Sequence, residues 1–140
     1  MEYRASADIR ATPMVLWALL TDAEHLPTWE PDITRIEGRI AKGERLVVHT
    51  AFSARAFPVT VTRFVPGREM VWTGGMPLGL FVGVRTFTLE ALEEGITRFT
   101  TSERFSGPLL PLMRRRLPDL QPFFDRFAES LRERADASSI

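Results

Sequence analysis

The chain contains no cysteine. Disulfides, thiolate nucleophiles and cysteine-ligated metals are therefore excluded. Lysine is nearly absent as well: Lys42 stands against seventeen arginines, a skew of composition rather than a recognition motif. Tyr3 is the single tyrosine, and His25 and His49 are the only histidines. Neither histidine has a spaced partner, so neither a metal site nor a Ser–His–Asp triad is supported. No charge of one sign predominates. The formal net charge is zero, so no overall field draws the chain to nucleic acid or anionic lipid. Long hydrophobic runs are also missing: Met14 to Leu20 is far too short to span a bilayer. Glu2 and Asp8 interrupt the start, where a secretory signal would need an apolar stretch, so a cytoplasmic setting is expected.

What is present fits an ordinary globular protein: 140 residues, 44% hydrophobic and 26% charged, enough for one domain with one core over residues 1–140. The stretch from Val15 to Ile33 is the most informative. It holds a short apolar helix, a capped turn and a Trp29-Glu30-Pro31 exit, with Trp17 and Trp29 close to a helix-to-strand transition.

Alternation predicts the strands. Ala5, Ala7, Ile9 and Ala11 share one face of a first strand. Thr12 then caps a helix over 13–20, with Pro13 where a missing N–H costs nothing. Thr21 and Asp22 begin a second short helix, 22–27. Strands follow at 33–38, around Leu46 to Phe52, at 57–65, 69–73, 80–92 and 96–105. Lys42-Gly43, Pro66-Gly67 and Glu93-Glu94-Gly95 supply turns. Beyond Gly107-Pro108 the spacing becomes helical: Leu109, Met113, Leu117, Leu120, Phe124, Phe127 and Leu131 form one stripe. Pro118 and Pro122 predict a kink or break near Leu117, with Asp119 capping a new first turn. Arg132 to Ile140 is expected to fray, residues 136–140 above all. Successive strands joined by tight turns make an antiparallel sheet. Only one long helix can cover it, so the sheet must curve around that helix.

At this point the chain resembles a known superfamily. The residues that carry the resemblance are Thr12-Pro13, Val15-Leu16-Trp17, Thr21-Asp22, Trp29-x-Pro31, Gly43-Glu44-Arg45-Leu46, Trp72, Gly83-x-Arg85-x-Phe87, Thr97-x-Phe99 and Glu103-x-Phe105-Ser106-Gly107. In this order and spacing they are similar to the START-like (SRPBCC, polyketide cyclase/dehydratase-related) helix-grip proteins, from Tyr3 to about Ala135. The resemblance implies an α+β helix-grip fold. A seven-stranded antiparallel sheet curves around a long, kinked C-terminal helix, and two short helices join strands 1 and 2. It also implies an apolar cavity between sheet and helix. The superfamily includes lipid and hormone carriers, cyclases, dehydratases and co-chaperones, so the fold does not choose the chemistry.

Strand parity locates the candidate site. Alternate residues share a face, so Phe81, Gly83, Arg85, Phe87 and Leu89 point one way. Thr97, Phe99, Thr101, Glu103 and Phe105 do the same on the next strand. Both sets are aromatic and should face the helix, carrying Arg85 and Glu103 inward. A hairpin centred near Glu94 makes those two cross-strand partners. Two readings stay open. The pair is a structural salt bridge, or Arg85 anchors a ligand carboxylate or enolate while Glu103 orients it or acts as a base. The expected ligand-binding set is Phe52, Trp72, Met76, Phe81, Arg85, Phe87, Phe99, Thr101, Glu103, Phe105, Met113, Leu117, Leu120 and Phe124. Met76, Leu80, Met113 and Leu117 should lie near the mouth, and the Gly74–Gly79 loop is a candidate lid. Trp17 and Trp29 should seal one end.

Three functions are weighed: binding of a small hydrophobic or amphipathic ligand without cofactor or metal; a cyclase/dehydratase-type enzyme using Arg85 and Glu103; and a co-chaperone-like interaction module. The last would need an apolar outer sheet face, which Thr86, Thr88, Glu90, Arg98, Thr100 and Arg104 argue against. The expected partner is a small hydrophobic molecule, with no nucleic acid and no integral membrane association, for a monomer or homodimer. Arg114-Arg115-Arg116 reads as a solvated helix face.

Overall fold

A computed structural model describes residues 1–138. Seven strands form one antiparallel sheet in the order β1-β7-β6-β5-β4-β3-β2. They are β1 (Glu2–Ile9), β2 (Ile33–Glu37), β3 (Arg45–Thr50), β4 (Ser53–Val65), β5 (Glu69–Gly75), β6 (Val82–Glu93) and β7 (Ile96–Ser106). Helices α1 (Pro13–Leu20) and α2 (Leu26–Trp29) join β1 to β2, and α3 (Leu110–Arg114) and α4 (Gln121–Ser138) follow the sheet. This is the helix-grip arrangement.

Helix α1 forms where the capping residues place it. The Thr12 hydroxyl accepts from the Val15 N–H at 3.4 Å, and Pro13 occupies the first turn. The second helix differs from expectation. Asp22 Oδ1 accepts from the His25 N–H at 3.3 Å and holds 22–25 as a turn, so α2 begins only at Leu26. Pro27 sits in its first turn, where it lacks nothing, instead of ending it. The C-terminal stripe breaks fully between α3 and α4. Asp119 Oδ1 accepts from the Gln121 N–H at 3.1 Å and starts the new helix, with Pro122 again in a first turn. Fraying is expected from Arg132, and the described residues are helical through Ser138. Helix α4 continues there, with Leu131 and Ala135 buried. Ser139 and Ile140 lie outside the described residues.

The β6–β7 register matches the parity argument: Val82↔Ser106, Arg85↔Glu103, Phe87↔Thr101 and Leu89↔Phe99 are paired. The inner face packs on α4 through Phe87, Phe99, Phe127 and Leu131, all essentially inaccessible. Each such side chain contributes about 1.5–3 kcal/mol on burial. Trp17 of α1 packs on Phe64 with ring centres 5.0 Å apart, and Trp29 on Phe127 at 5.6 Å. A second cluster, Phe81, Phe105 and Leu120, is closed by Leu109, Met113, Leu117 and Phe123. Between the two clusters the sheet curves away from α4 and α3, and side chains do not fill the gap.

Candidate cavity site

That gap is a half-enclosed cavity of about 600 Å³. Its walls come from β3 to β7, the start of β2, the α3–α4 link and α4. Eleven residues of the expected set meet around it: Phe52, Trp72, Met76, Phe81, Arg85, Glu103, Phe105, Met113, Leu117, Leu120 and Phe124. Three do not. Phe87 and Phe99 lie beneath the wall, packed on Phe127 with ring centres 5.9 Å away in each case. Thr101 is also buried, and its hydroxyl accepts from Arg85 Nε at 3.3 Å. Parity puts a residue on the correct face, but helix α4 covers the central part of that face, so only positions toward its open end reach the cavity.

Leu80, expected at the mouth, is not among the lining residues; its carbonyl accepts from the Leu109 N–H at 2.9 Å. Phe52 reaches the cavity from the turn after β3 rather than from a strand, its ring tilted against Phe123 with centres 4.3 Å apart. The Gly74–Gly79 segment is a tied connection: the Met76 N–H donates to the Phe81 carbonyl at 2.8 Å. Neither Trp17 nor Trp29 lines the cavity, so neither seals it. The stretch from Val15 to Ile33 contributes instead through Glu30, which no periodicity marks as inward.

The polar residues form a row across the sheet. Registers pair Trp72 with Arg85, Arg85 with Glu103, and Glu103 with Tyr3, so four residues of β5, β6, β7 and β1 lie side by side on one face. The Arg85 guanidinium sits 4.8 Å from the ring centres of Phe87, Phe124 and Phe127, an aromatic cage for a cation. The salt bridge expected between Arg85 and Glu103 does not form: among the described residues Arg85 has no carboxylate within 4.0 Å. Gly83 explains why. A Cβ at that position would lie 2.8 Å from Glu103 Oε2, so the carboxyl leans along β6 into the space that the missing side chain leaves.

Glu30 enters from the α2–β2 turn and is 1% exposed. Its Oε2 accepts from the N–H groups of Asp32 at 2.8 Å and Ile33 at 2.7 Å. Among the described residues its Oε1 has no partner, and neither does the indole Nε1 of Trp72 nor the hydroxyl of Thr50. All three of these orphaned atoms belong to residues of the cavity wall. Burial dominates the titration of the site. It raises the pKa of Glu30 against the Ile33 N–H, and the nearby Asp32 charge raises it further. It raises Glu103 against the pull of Arg85. It lowers Arg85, whose charge Glu103 and Glu30 partly restore. Glu103 keeps some accessible surface although it is deep in the fold, because that surface faces the cavity.

The sequence matches the polyketide cyclase / dehydrase and lipid transport family over residues 1–136. The chain belongs to that family. Solved structures share its fold. Protein MLL2253 from Mesorhizobium loti is 18% identical, with a TM-score of 0.79 and full coverage of both chains. A START superfamily protein from Mycobacterium smegmatis is 13% identical, with a TM-score of 0.73 and 98% of each chain covered. A norcoclaurine synthase point mutant from Thalictrum, in complex with a transition-state analogue, is 12% identical with a TM-score of 0.73, covering 100% of this chain and 96% of its own. No protein of curated function matches the sequence. As a member of this family the chain carries the helix-grip cavity. The remaining signals lie away from it. His25 Nδ1 pairs with Asp22 and His49 Nε2 with Glu37, both at 2.8 Å on the surface. Arg114 and Arg115 are exposed, while Arg116 reaches the cavity edge. No helix among the described residues is long and apolar enough to cross a membrane.

Proposed function

We propose that the protein binds a small hydrophobic or amphipathic molecule in this cavity. The observation that carries the reading is a cavity of about 600 Å³ walled largely by aromatic, aliphatic and methionine side chains, with Arg85 and Glu103 among the polar residues of its lining. Met76 and Met113 suit a ligand of variable shape. The same reading keeps the expected single domain over residues 1–140, a cytoplasmic setting, and a monomer or homodimer whose partner is a small molecule. Native mass spectrometry of protein purified from its own host should reveal a co-purifying compound. In vitro, the neutral dye N-phenyl-1-naphthylamine should brighten on binding, and Ala56→Trp, which fills the wall from β4, should abolish that signal in a folded protein. Dye binding that survives Ala56→Trp would place the apolar site elsewhere.

A catalytic reading is supported by one observation. Glu30 joins Glu103, so two buried carboxyls with raised pKa flank Arg85. General acid–base work needs carboxyls moved toward neutral pH. The norcoclaurine synthase neighbour is an enzyme on the same fold. On this reading Glu30→Gln or Glu103→Gln would stop turnover of a polyketide-like substrate while leaving it bound. The interaction-module reading has no support from the outer sheet face, where Glu90, Arg98 and Arg104 are exposed and Arg98 pairs with Asp8 at 2.9 Å.

A further inference from the structure

The charges of the cavity lining sort by depth. Arg85 lies inside, its guanidinium among three aromatic rings and its Nε donated to Thr101 at 3.3 Å, with Glu103 opposite in the register. Asp32, in the turn before β2, is taken up by Arg126: its two oxygens accept guanidinium N–H groups at 2.9 and 3.0 Å. Arg55 and Arg116 also line the cavity, and both are exposed. Among the described residues neither has a carboxylate within 4.0 Å. The lining therefore ends outward in two cations that no described acid neutralises.

Both cations stand where the apolar wall reaches solvent. The β3–β4 turn and the start of α4 meet at the mouth, through the contact of Phe52 with Phe123. Phe52 also approaches Phe57, with ring centres 6.3 Å apart, and Arg55 lies between them in the chain. Arg116 sits on the α3–α4 link, next to Leu117 and Pro118 of the same lining. Phe52, Phe57 and Met76 are 38–40% exposed, so apolar surface continues out to these arginines. Unpaired arginines also occur elsewhere on the described surface, Arg10 and Arg68 among them. What sets Arg55 and Arg116 apart is that they share the wall of one apolar cavity.

We propose that the cavity binds an amphiphile with its apolar body inward and an anionic head group left at the mouth, on Arg55 and Arg116. The proposal rests on the cavity-binding reading above and adds the sign and the place of the ligand's charge. A guanidinium presents a fork of N–H donors that matches the oxygens of a carboxylate, sulfate or phosphate. At the mouth the head stays hydrated, so it avoids the desolvation that a charge carried to the inner end would suffer. Arg55 and Arg116 then determine specificity by charge, while the aromatic and methionine wall accepts bodies of different shape.

Displacement of N-phenyl-1-naphthylamine reads the affinities of decanoate, decan-1-ol and decyltrimethylammonium, one chain with three head groups, below the concentrations at which they form micelles. At about pH 8 decanoate should bind about fivefold more tightly than decan-1-ol, the scale of two solvent-screened ion pairs, and the ammonium should bind more weakly than the alcohol. Raising the salt from about 20 mM to about 500 mM should remove most of the advantage of decanoate. Arg55→Gln combined with Arg116→Gln should lower the decanoate-to-decanol affinity ratio about fivefold. The ratio cancels any general change in the apolar site, and exposed substitutions of this kind leave the fold standing. Decan-1-ol or the ammonium binding as tightly as decanoate in the native protein would overturn the proposal. So would an advantage that persists at high salt, or a ratio unchanged in the double variant, since either would put the anion at the inner end on Arg85. Dye that binds but is displaced by none of the amphiphiles would also overturn it, with cavity binding left intact. Dye that fails to bind the native protein would remove the cavity-binding reading and this proposal with it.

Discussion

Replacing Arg85 with methionine should destabilise the protein by an amount that depends on pH. Methionine fills similar space among Phe87, Phe124 and Phe127. The lost attraction between the cation and these rings, up to about 2 kcal/mol when desolvated, is offset by no longer burying the charge. What remains is the field of Arg85 on Glu103 and Glu30. No carboxylate lies within 4.0 Å, so each attraction is below the roughly 4 kcal/mol of a contact pair at an effective dielectric constant of 20. About 2 kcal/mol is the expected size. Its sign follows from the pKa directions. Both carboxyls titrate above their ordinary 4.5 in the folded protein because they are buried. The folded state therefore holds protons that the unfolded state releases. The stability that these two carboxyls contribute is fully present below the unfolded pKa and is lost as pH rises through the folded values. Arg85 lowers both carboxyl pKa values, so its removal raises them and extends this loss to higher pH. Urea unfolding followed by tryptophan fluorescence should give Arg85→Met a deficit below about 1 kcal/mol at pH 5, growing to about 2–3 kcal/mol at pH 8. A deficit that is equal at both pH values, or larger at pH 5, would refute the claim that burial and the Arg85 field govern this site.

Further substitutions test the geometry around it. Gly75→Ala should lower Tm by about 5–10 °C in a thermal melt, because a Cβ would lie 2.1 Å from the Phe81 carbonyl and the backbone holds φ at +139°. Gly83→Ala should cost about 1–2 kcal/mol by urea unfolding, because a Cβ would meet the flexible end of Glu103 at 2.8 Å and crowd the buried Phe105 ring at 3.1 Å, and it should change ligand affinity several-fold in a dye titration. Phe127→Ala should cost about 3–5 kcal/mol in the same unfolding assay, since the ring is 2% exposed, stacks on Phe99 and packs edge-on or tilted against Trp29 and Phe87.

The legible part of the protein was the part governed by period. Alternation along β6 and β7, centred on Glu94, placed Arg85 opposite Glu103, and that pairing is observed. The capping signals of Thr12 and Asp119 marked helix starts that form. Glu30 escaped because it follows a helix of four residues, in a turn with no period to read. A signal was present: an acidic residue between Trp29 and Pro31, just ahead of backbone N–H groups at 32 and 33 that need an acceptor.

By itself, the sequence determined the order of elements, the inward face of each long strand and the residues that share it. Those follow from local geometry, in which neighbours two or four positions apart meet whatever lies beyond them. Tertiary structure alone decided which inward residues α4 covers and which it leaves on a cavity. It also decided that Glu103 leans over Gly83 rather than bonding Arg85, and that Glu30 joins them from the far side. Each of these depends on how far one layer stands from another, a distance that no pattern along a single strand records.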